Sequence, residues 1–470
     1  MYKRTLILVL LISTLVLTAQ PVQAQDTTGG PIYVVQAGDS LSSIAGRFDV
    51  SLDDLMAANS ITNANQVSVG QQLVIPGLDG ITGILDAKLI NFGNSYRTMV
   101  RQTQVPENLL RKLNHIVSPS EFYVGVSMIV PTQTGGQVLS NRISPTAGQS
   151  MLEMAVKQNS DVWSMQHYNN LQGSWDIVPG DTLFTPGTGT DTTTSGLPSA
   201  FISAEIRDLP LKQGGTGVIK VKTIPGVTLG GVLVDHQLHF FPTEDGTQVA
   251  LQGVHGLLTP GIYPLRLEAT LPDGSKQSYE QPILIVSGRY PNDPVLYVPA
   301  DTLDPAVTEP ELQQLVNITL PATPTKYWTG DFISPAIQYY ENTYPSSGYG
   351  NRRIYIGQGT DIKVSGWHTG IDFVGGVGLP ITAPAAGVVV FAGPLTVRGN
   401  ATIIDHGWGV YTGYWHQSQI NVQVGQMVQP NEVIGLVGKT GRITGPHLHW
   451  EVWVNGIQVD PLDWLNNTYP

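Results

Sequence analysis

A chain of 470 residues argues for about three domains, and 52 glycines with 33 prolines supply the many turns that β-rich modules need. Hydrophobic residues at 41% against 13% charged describe a folded chain rather than a disordered one. The net charge of −12 makes nucleic acid and anionic lipid poor partners, and the absence of cysteine excludes disulfides, thiolate nucleophiles and cysteine-bound metals, so any metal must sit on His and carboxylates.

At the N-terminus, Lys3 and Arg4 precede an apolar run from Leu6 to Leu17, and Val22-Gln23-Ala24 offers small residues for cleavage. The run is shorter than the ~20 residues of a membrane span, which predicts a secretory signal over 1–24, an extracytoplasmic protein (secreted or held in the cell envelope) and no membrane span after cleavage. No cysteine follows the run, which excludes a lipoprotein anchor.

The next 160 or so residues repeat with a step of 55. Gly38, Gly93 and Gly148 keep that step, as do Ser40, Ser95 and Ser150, and then Asn59, Asn114 and Asn169. Gly70, Gly125 and Gly180 share it, with apolar positions such as Leu55, Leu110 and Met165 in the same frame. Three tandem βααβ units are predicted, over 31–77, 88–132 and 143–187. In the first, Ser40 caps a helix with apolar face Leu41, Ile44, Ala45 and Phe48, and Ser51 with Asp54 opens a second helix. The run YVVQAGDSLSSIAGRFDVSLDDLMAANSI…VGQQLVIP resembles the LysM module. That resemblance implies binding of N-acetylglucosamine chains of peptidoglycan or chitin, with Asp39, Ser40 and Leu41 on one side of the groove and Ile61 on the other. The later copies read GNSY and GQSM in place of GDSL, which points to folded spacers.

A Thr/Gly linker over 188–199 leads into an expected antiparallel β-sandwich over 200–289, with a hairpin turn at Pro272–Ser275. His236 and His239, three apart on a strand, point to opposite faces and cannot share one ion. This module reads as a spacer or support. A Pro/Thr-rich connector over 290–344, with a short helix near Glu311–Val316, is expected to pack against the C-terminal domain.

Five of the ten histidines fall between His368 and His449. His368 and Asp372, four apart across Gly370, offer the mixed nitrogen and oxygen donors that zinc accepts. His447 and His449 share one face of a strand that runs to an Asn455-Gly456 hairpin turn. His416 ends an aromatic β run, and His406, in DHGWG, is placed in a turn. Together His368, Asp372 and His449 supply three ligands and leave a fourth position for water, the mark of a catalytic rather than a structural zinc. His447 and His416 are then the candidates for proton transfer and oxyanion stabilisation. Gly435–Thr440 ends like a phosphate loop but lacks its first glycine and its following helix, and a lipoyl-type carrier around Lys439 leaves the histidines unexplained.

The segment from SSGYGNRR through HTGIDFVGG and IIDHGWGVYTGYWHQ to TGRITGPHLHWEV resembles the lysostaphin-type zinc metallopeptidases over 345–466, a mainly-β domain. The resemblance implies one zinc ion on His368, Asp372 and His449, with His416 and His447 catalytic. Tyr349 and Trp415 depart from the family pattern, which predicts a reshaped cleft. The whole chain then reads as a secreted zinc endopeptidase cutting peptide bonds of peptidoglycan and targeted to its glycan by LysM modules. The alternative is a non-enzymatic wall scaffold, or an activator of other wall hydrolases.

Overall fold

The 55-residue step has a physical cause in a computed structural model that describes residues 30–132, 139, 141–186, 195–336 and 345–470. The signal segment 1–24 lies outside the described residues, as does the linker up to 194. The chain divides into two units, one ending at Leu85 and one running from Asp86 to Pro470.

In the first unit, β1 (Ile32–Val34) and β2 (Gln72–Val74) pair antiparallel around α1 (Leu41–Arg47) and α2 (Leu52–Ala58). Ser40 caps α1 in a full capping box with Ser43, whereas Ser51 makes only half of one, because the Asp54 carboxylate bonds the Ser51 hydroxyl rather than its backbone. Asn59 then ties helix to strand: its Nδ2 donates to the Leu55 and Val74 carbonyls, both at 2.8 Å, and its Oδ1 accepts from Val74 N at 2.7 Å.

The second unit opens with β3 (Ile84–Leu89, its first two residues in the first unit), α3 (Tyr96–Thr103), α4 (Glu107–Leu113) and β4 (Ser127–Thr132). The same order returns in β5 (Asn141–Ile143), α5 (Met151–Lys157), α6 (Val162–Tyr168) and β6 (Leu183–Thr185). Asn114 and Asn169 repeat the three bonds of Asn59 with Leu110 and Ile129, and with Met165 and Phe184. Ser95 and Ser150 repeat the cap, and the six repeated glycines all hold φ between +83° and +104°, a backbone that side-chain-bearing residues rarely adopt. Each repeated residue therefore does the same job in each copy. Arg101 of α3, wholly buried, joins the last two copies through the Thr182 carbonyl (2.6 Å) and the Asp181 carboxylate (2.8 Å).

Beyond 195, β7 (Phe201–Ile206), β8 (Leu211–Lys212), β9 (Thr216–Thr223) and β10 (Thr228–Leu233) are followed by β11 (His236–Gln237), β12 (Phe241–Pro242) and β13 (Gln248–Gly253). The long hairpin β14 (Gly261–Thr270)–β15 (Lys276–Val286) turns at the expected Pro272–Ser275. Two sheets, β11-β10-β14-β15-β8 and β12-β13-β9-β7, share a core that includes Val221, Ala250, Leu265 and Ile283. The expected all-antiparallel pairing fails at one place, since β8 crosses sheets and pairs parallel with β15.

The connector is more structured than expected. β16 (Leu296–Val298) pairs parallel with β17 (Arg352–Gly357), which pairs in turn with β18 (Lys363–Trp367). The helix near Glu311–Val316 extends to α7 (Pro305–Thr319), because Asp304 caps it and Pro305 occupies the first turn, where its missing N–H costs nothing. Its Leu315 packs on Tyr411, Trp415 and Trp453. The remaining strands are β19 (Ile371–Val374), β20 (Pro380–Thr382), β21 (Gly387–Leu395), β22 (Gly399–Gly407), β23 (Val410–Ile420), β24 (Met427–Val428), β25 (Val433–Val437), β26 (His447–Val454) and β27 (Ile457–Val459), before α8 (Pro461–Asn466). Their main sheet runs β19-β26-β23-β22-β21-β24. One core joins Val218, Phe241 and Leu251 of the preceding module to Ile371, Tyr414 and Trp450 of this sheet, with Phe241 stacked on Trp408 at 5.3 Å. No helix among the described residues is long and apolar enough to cross a membrane.

Replacing Asn169 with Ala strands the Phe184 amide and carbonyl in a buried place, since the Met165 carbonyl keeps the backbone N–H of residue 169, a loss of roughly 2 kcal/mol. The Phe184 amide should then exchange hydrogen about 30-fold faster, read by mass spectrometry; unchanged protection would refute the shared role of the repeated asparagines.

Candidate metal centre and active site

His447 opens β26, and alternation puts His447, His449 and Glu451 on one face. Antiparallel pairing sets Asp372 of β19 directly opposite His449. Gly370 permits that approach: a Cβ there would lie 2.2 Å from the Trp450 carbonyl oxygen, so the glycine serves close packing. His368 precedes the strand and is buried, with its Nδ1 on the Gly348 carbonyl at 2.8 Å.

Three donor atoms converge. His368 Nε2 lies 3.0 Å from Asp372 Oδ1 and 2.9 Å from His449 Nδ1, and the last two are 2.7 Å apart. The outer partners fix which nitrogen is free. His368 Nδ1–H donates to Gly348, and His449 Nε2–H donates to Glu451 Oε1 at 3.1 Å, so both inward nitrogens keep their lone pairs. Asp372 turns Oδ1 inward and gives Oδ2 to Arg353 at 2.9 Å. Two imidazoles and a carboxylate, oriented from outside and pointing at one spot, fit a divalent cation such as zinc. They form the one such group among the described residues.

The electrostatics agree. Burial drives the His368 pKa down to about 4, keeping it neutral. Burial alone would raise Asp372, yet His368 and His449 hold it well below the usual carboxylate range. Burial would lower His449, but its bonds to Asp372 and Glu451 raise it. Glu451, despite burial, is held at about 2 by Arg398, His449 and Thr369.

His416 and His447 flank the group, their rings 5.1 Å apart, and each gives Nδ1–H to a backbone carbonyl, Thr440 at 2.7 Å and Gly445 at 2.8 Å. Trp415 is the cross-strand partner of His449, so strict alternation would put His416 on the opposite face. Its left-handed backbone (φ +64°) breaks the alternation and brings its ring to 6.1 Å from His449. Burial pushes both pKa values down, His416 well below the ordinary range. The cluster lies in a cleft of ≈ 570 Å³ walled by Leu296, Tyr355, Trp367, Trp415 and the 442–446 loop.

Other expectations need correction. His406 lies in β22 rather than in a turn, because the turn is made by Trp408 and Gly409, both at positive φ; it is a core residue with both nitrogens bonded, to Ala386 and Thr412. Tyr349 is buried against Tyr290 and Trp367 with its hydroxyl on Gln458 and does not line the cleft, whereas Trp415 does. In the first unit, Leu41 is a core side chain and only its backbone is left for a ligand. Asp39 accepts from Tyr33 and Gln36 and pairs with Arg47, while Ser40 is exposed and Ile61 half-buried. Sequence reasoning misses Glu451, whose signal is its place on the face of His447 and His449, and also Arg353 and Asp293, which no spacing announces. Asp293 bonds Arg353 Nε at 2.8 Å and comes from the connector.

A buried, oriented His–Asp–His group flanked by two further histidines in a β-lined cleft has the composition of a catalytic metal site. Residues 366–461 match Peptidase family M23 and residues 33–76 match the LysM domain, so the chain carries a LysM domain and a C-terminal M23 peptidase domain. It is 48% identical over 95 residues to the DD-carboxypeptidase/endopeptidase Mpg of Neisseria meningitidis, covering 20% of this chain and 22% of that one. It is 38% identical over 136 residues to the peptidoglycan DD-endopeptidase ShyA of Vibrio cholerae, covering 28% and 31%. The catalytic domain of lysostaphin from Staphylococcus simulans aligns at 32% identity and a TM-score of 0.23, covering 27% of this chain and 94% of that one. The chain thus spans less than a third of the length of either curated relative.

Two substitutions separate the histidine roles. His449→Ala should abolish stoichiometric zinc, and His447→Ala should retain it, both measured by elemental analysis after dialysis. Glu451→Gln should weaken zinc binding by roughly 10- to 100-fold in a chelator competition, since the amide cannot replace the anion behind His449.

Proposed function

We propose that the protein is a secreted, zinc-dependent endopeptidase that hydrolyses D,D-peptide bonds of peptidoglycan and is held to the glycan by its LysM domain. The observation that carries this reading is the convergence of His368 Nε2, Asp372 Oδ1 and His449 Nδ1 at the floor of an open cleft. His368, Asp372 and His449 would hold one zinc ion, which when bound supplies Lewis acidity that acidifies water and polarises a carbonyl.

The rest is the work of the chain. His416 and His447 have their Nδ1 protons tied to backbone carbonyls, so each has an unprotonated Nε2 as its remaining polar atom. Burial keeps both neutral at neutral pH, the form that accepts a proton from attacking water and later returns it to the leaving amine. Once protonated, either imidazolium stabilises the developing oxyanion. Arg353 and Glu451 fix the ligands by charge-assisted hydrogen bonds. The D,D bond is taken from the named activities of the Neisseria and Vibrio relatives. On the LysM domain, Ser40, Ile61 and the backbone at Leu41 are the surfaces left for glycan, a shallow neutral site suited to sugar. The tether raises the local substrate concentration. We also read 88–132 and 143–187 as two LysM-like spacers and 200–289 as a β-sandwich support, with the peptidase domain over 345–466 drawing on the connector.

Isolated peptidoglycan incubated with the protein should release fragments whose masses match hydrolysed D,D cross-links. Release should stop with chelator and fall at least ~1000-fold in His447→Ala. Binding without cleavage, in the presence of zinc, would overturn the enzyme in favour of a scaffold.

A further inference from the structure

Three arginines line the cleft, and two are neutralised within the fold. Arg353 pairs with Asp293 and Asp372, at 2.8 and 2.9 Å. Arg398 pairs with Glu311 at 3.2 Å and approaches Glu451 at 3.8 Å. Arg442 has no carboxylate within ion-pair distance among the described residues, although it lines the same cleft.

It is nonetheless held in place. Its guanidinium lies 4.6 Å from the centre of the Tyr355 ring, Nη1 donates to the Thr302 carbonyl at 3.3 Å, and its backbone N–H bonds Val397 at 2.7 Å. Thr302 belongs to the connector, in a 3₁₀ turn over Ala300–Leu303. Arg442 also sits two residues after Thr440, whose carbonyl holds His416, and five before His447. A guanidinium has five N–H donors in a planar fork that matches a carboxylate, and only one is used here. Burial, with Arg398 and Arg353 adding to it, destabilises its charge against the opposing pull of Tyr355 and Glu311, which an arriving anion would relieve.

We propose that Arg442 is a specificity residue that binds a carboxylate of the peptide substrate, so that the cleft prefers anionic peptides over their amidated forms. The assignment rests on the peptidase reading above. Two carboxylates have the required chemistry: one at a peptide chain end, and one on a side chain near the scissile bond.

The test uses the full chain with zinc and a cross-linked peptide in three forms: all carboxylates free, the chain-end carboxylate amidated, and the side-chain carboxylate amidated. Amidating the recognised group should raise KM about 10-fold or more while leaving kcat within about twofold, and the form affected names the source. Arg442→Gln should make the three forms equivalent, and Arg442→Lys should restore part of the preference. If wild type and Arg442→Gln treat all forms alike, the assignment is wrong. If no form is cleaved, the peptidase reading fails, and calorimetric binding of the same peptides decides the arginine separately. A ~10-fold preference for carboxylate that vanishes in Arg442→Gln supports it, and equal affinities or no binding overturn it.

Discussion

The site depends on strand register. Asp372 faces His449 across β19 and β26, and on its other side His449 faces Trp415 of β23. A slip of one residue in either pairing would turn the ligand face of β26 into the core face, replacing His447, His449 and Glu451 with Leu448, Trp450 and Val452. What pins the register is the apolar half of the strand, because Leu448, Trp450, Val452 and Val454 are all fully buried on the opposite face. The His–Asp–His group is thus positioned by hydrophobic burial on the side away from it, and the hairpin turn at Asn455-Gly456, with φ of +52° and +76°, closes the register at the far end.

Around that frame, a set of charges fixes each ligand. Glu451 holds His449 while accepting from Thr369, Trp453 and Gln458, so its carboxylate is satisfied on all sides. Asp372 is held by Arg353, which is held by Asp293. Asp293 and Glu311, the two carboxylates that neutralise cleft arginines from outside the M23 match, both come from the connector. The same segment contributes Leu296 and Val298 to the cleft wall. Its strand and helix are therefore parts of the site's support, and Asp293 in particular converts a buried arginine from a liability into a clamp.

The grouping of His368, Asp372 and His449 was legible in the sequence because ligand sets need particular residue types at spacings that strands enforce. The repeat was legible for a similar reason: Ser caps, an Asn staple and left-handed glycines have few substitutes. Much else was hidden, in each case because the decisive fact lies across the chain. Leu41 lies on the expected apolar face of α1, and only packing shows that this face takes all of its side chain. His416 departs from strand alternation through a backbone distortion that no periodicity encodes. Asp293 and Arg353 stand 60 residues apart and meet only because β16 adds itself to β17 in parallel. Pro305 and Pro310, residues that ordinarily interrupt helices, mask the early turns of a helix that begins at the first of them.

The histidines show how partners, rather than residue type, assign function. His406 spends both nitrogens on Ala386 and Thr412 and has no lone pair or proton to offer a ligand. His368 and His449 each spend one nitrogen outward, on a carbonyl and a carboxylate, and turn the other toward Asp372. His416 and His447 spend Nδ1 on a carbonyl and keep Nε2 for the cleft they line. Burial lowers the pKa of His416 and His447, whereas the hydrogen bonds to Asp372 and Glu451 raise that of His449. Five histidines of one domain, four of them buried, are thus separated into a core residue, two that converge on Asp372 and two that face the cleft, by the hydrogen bond each makes on the side away from it.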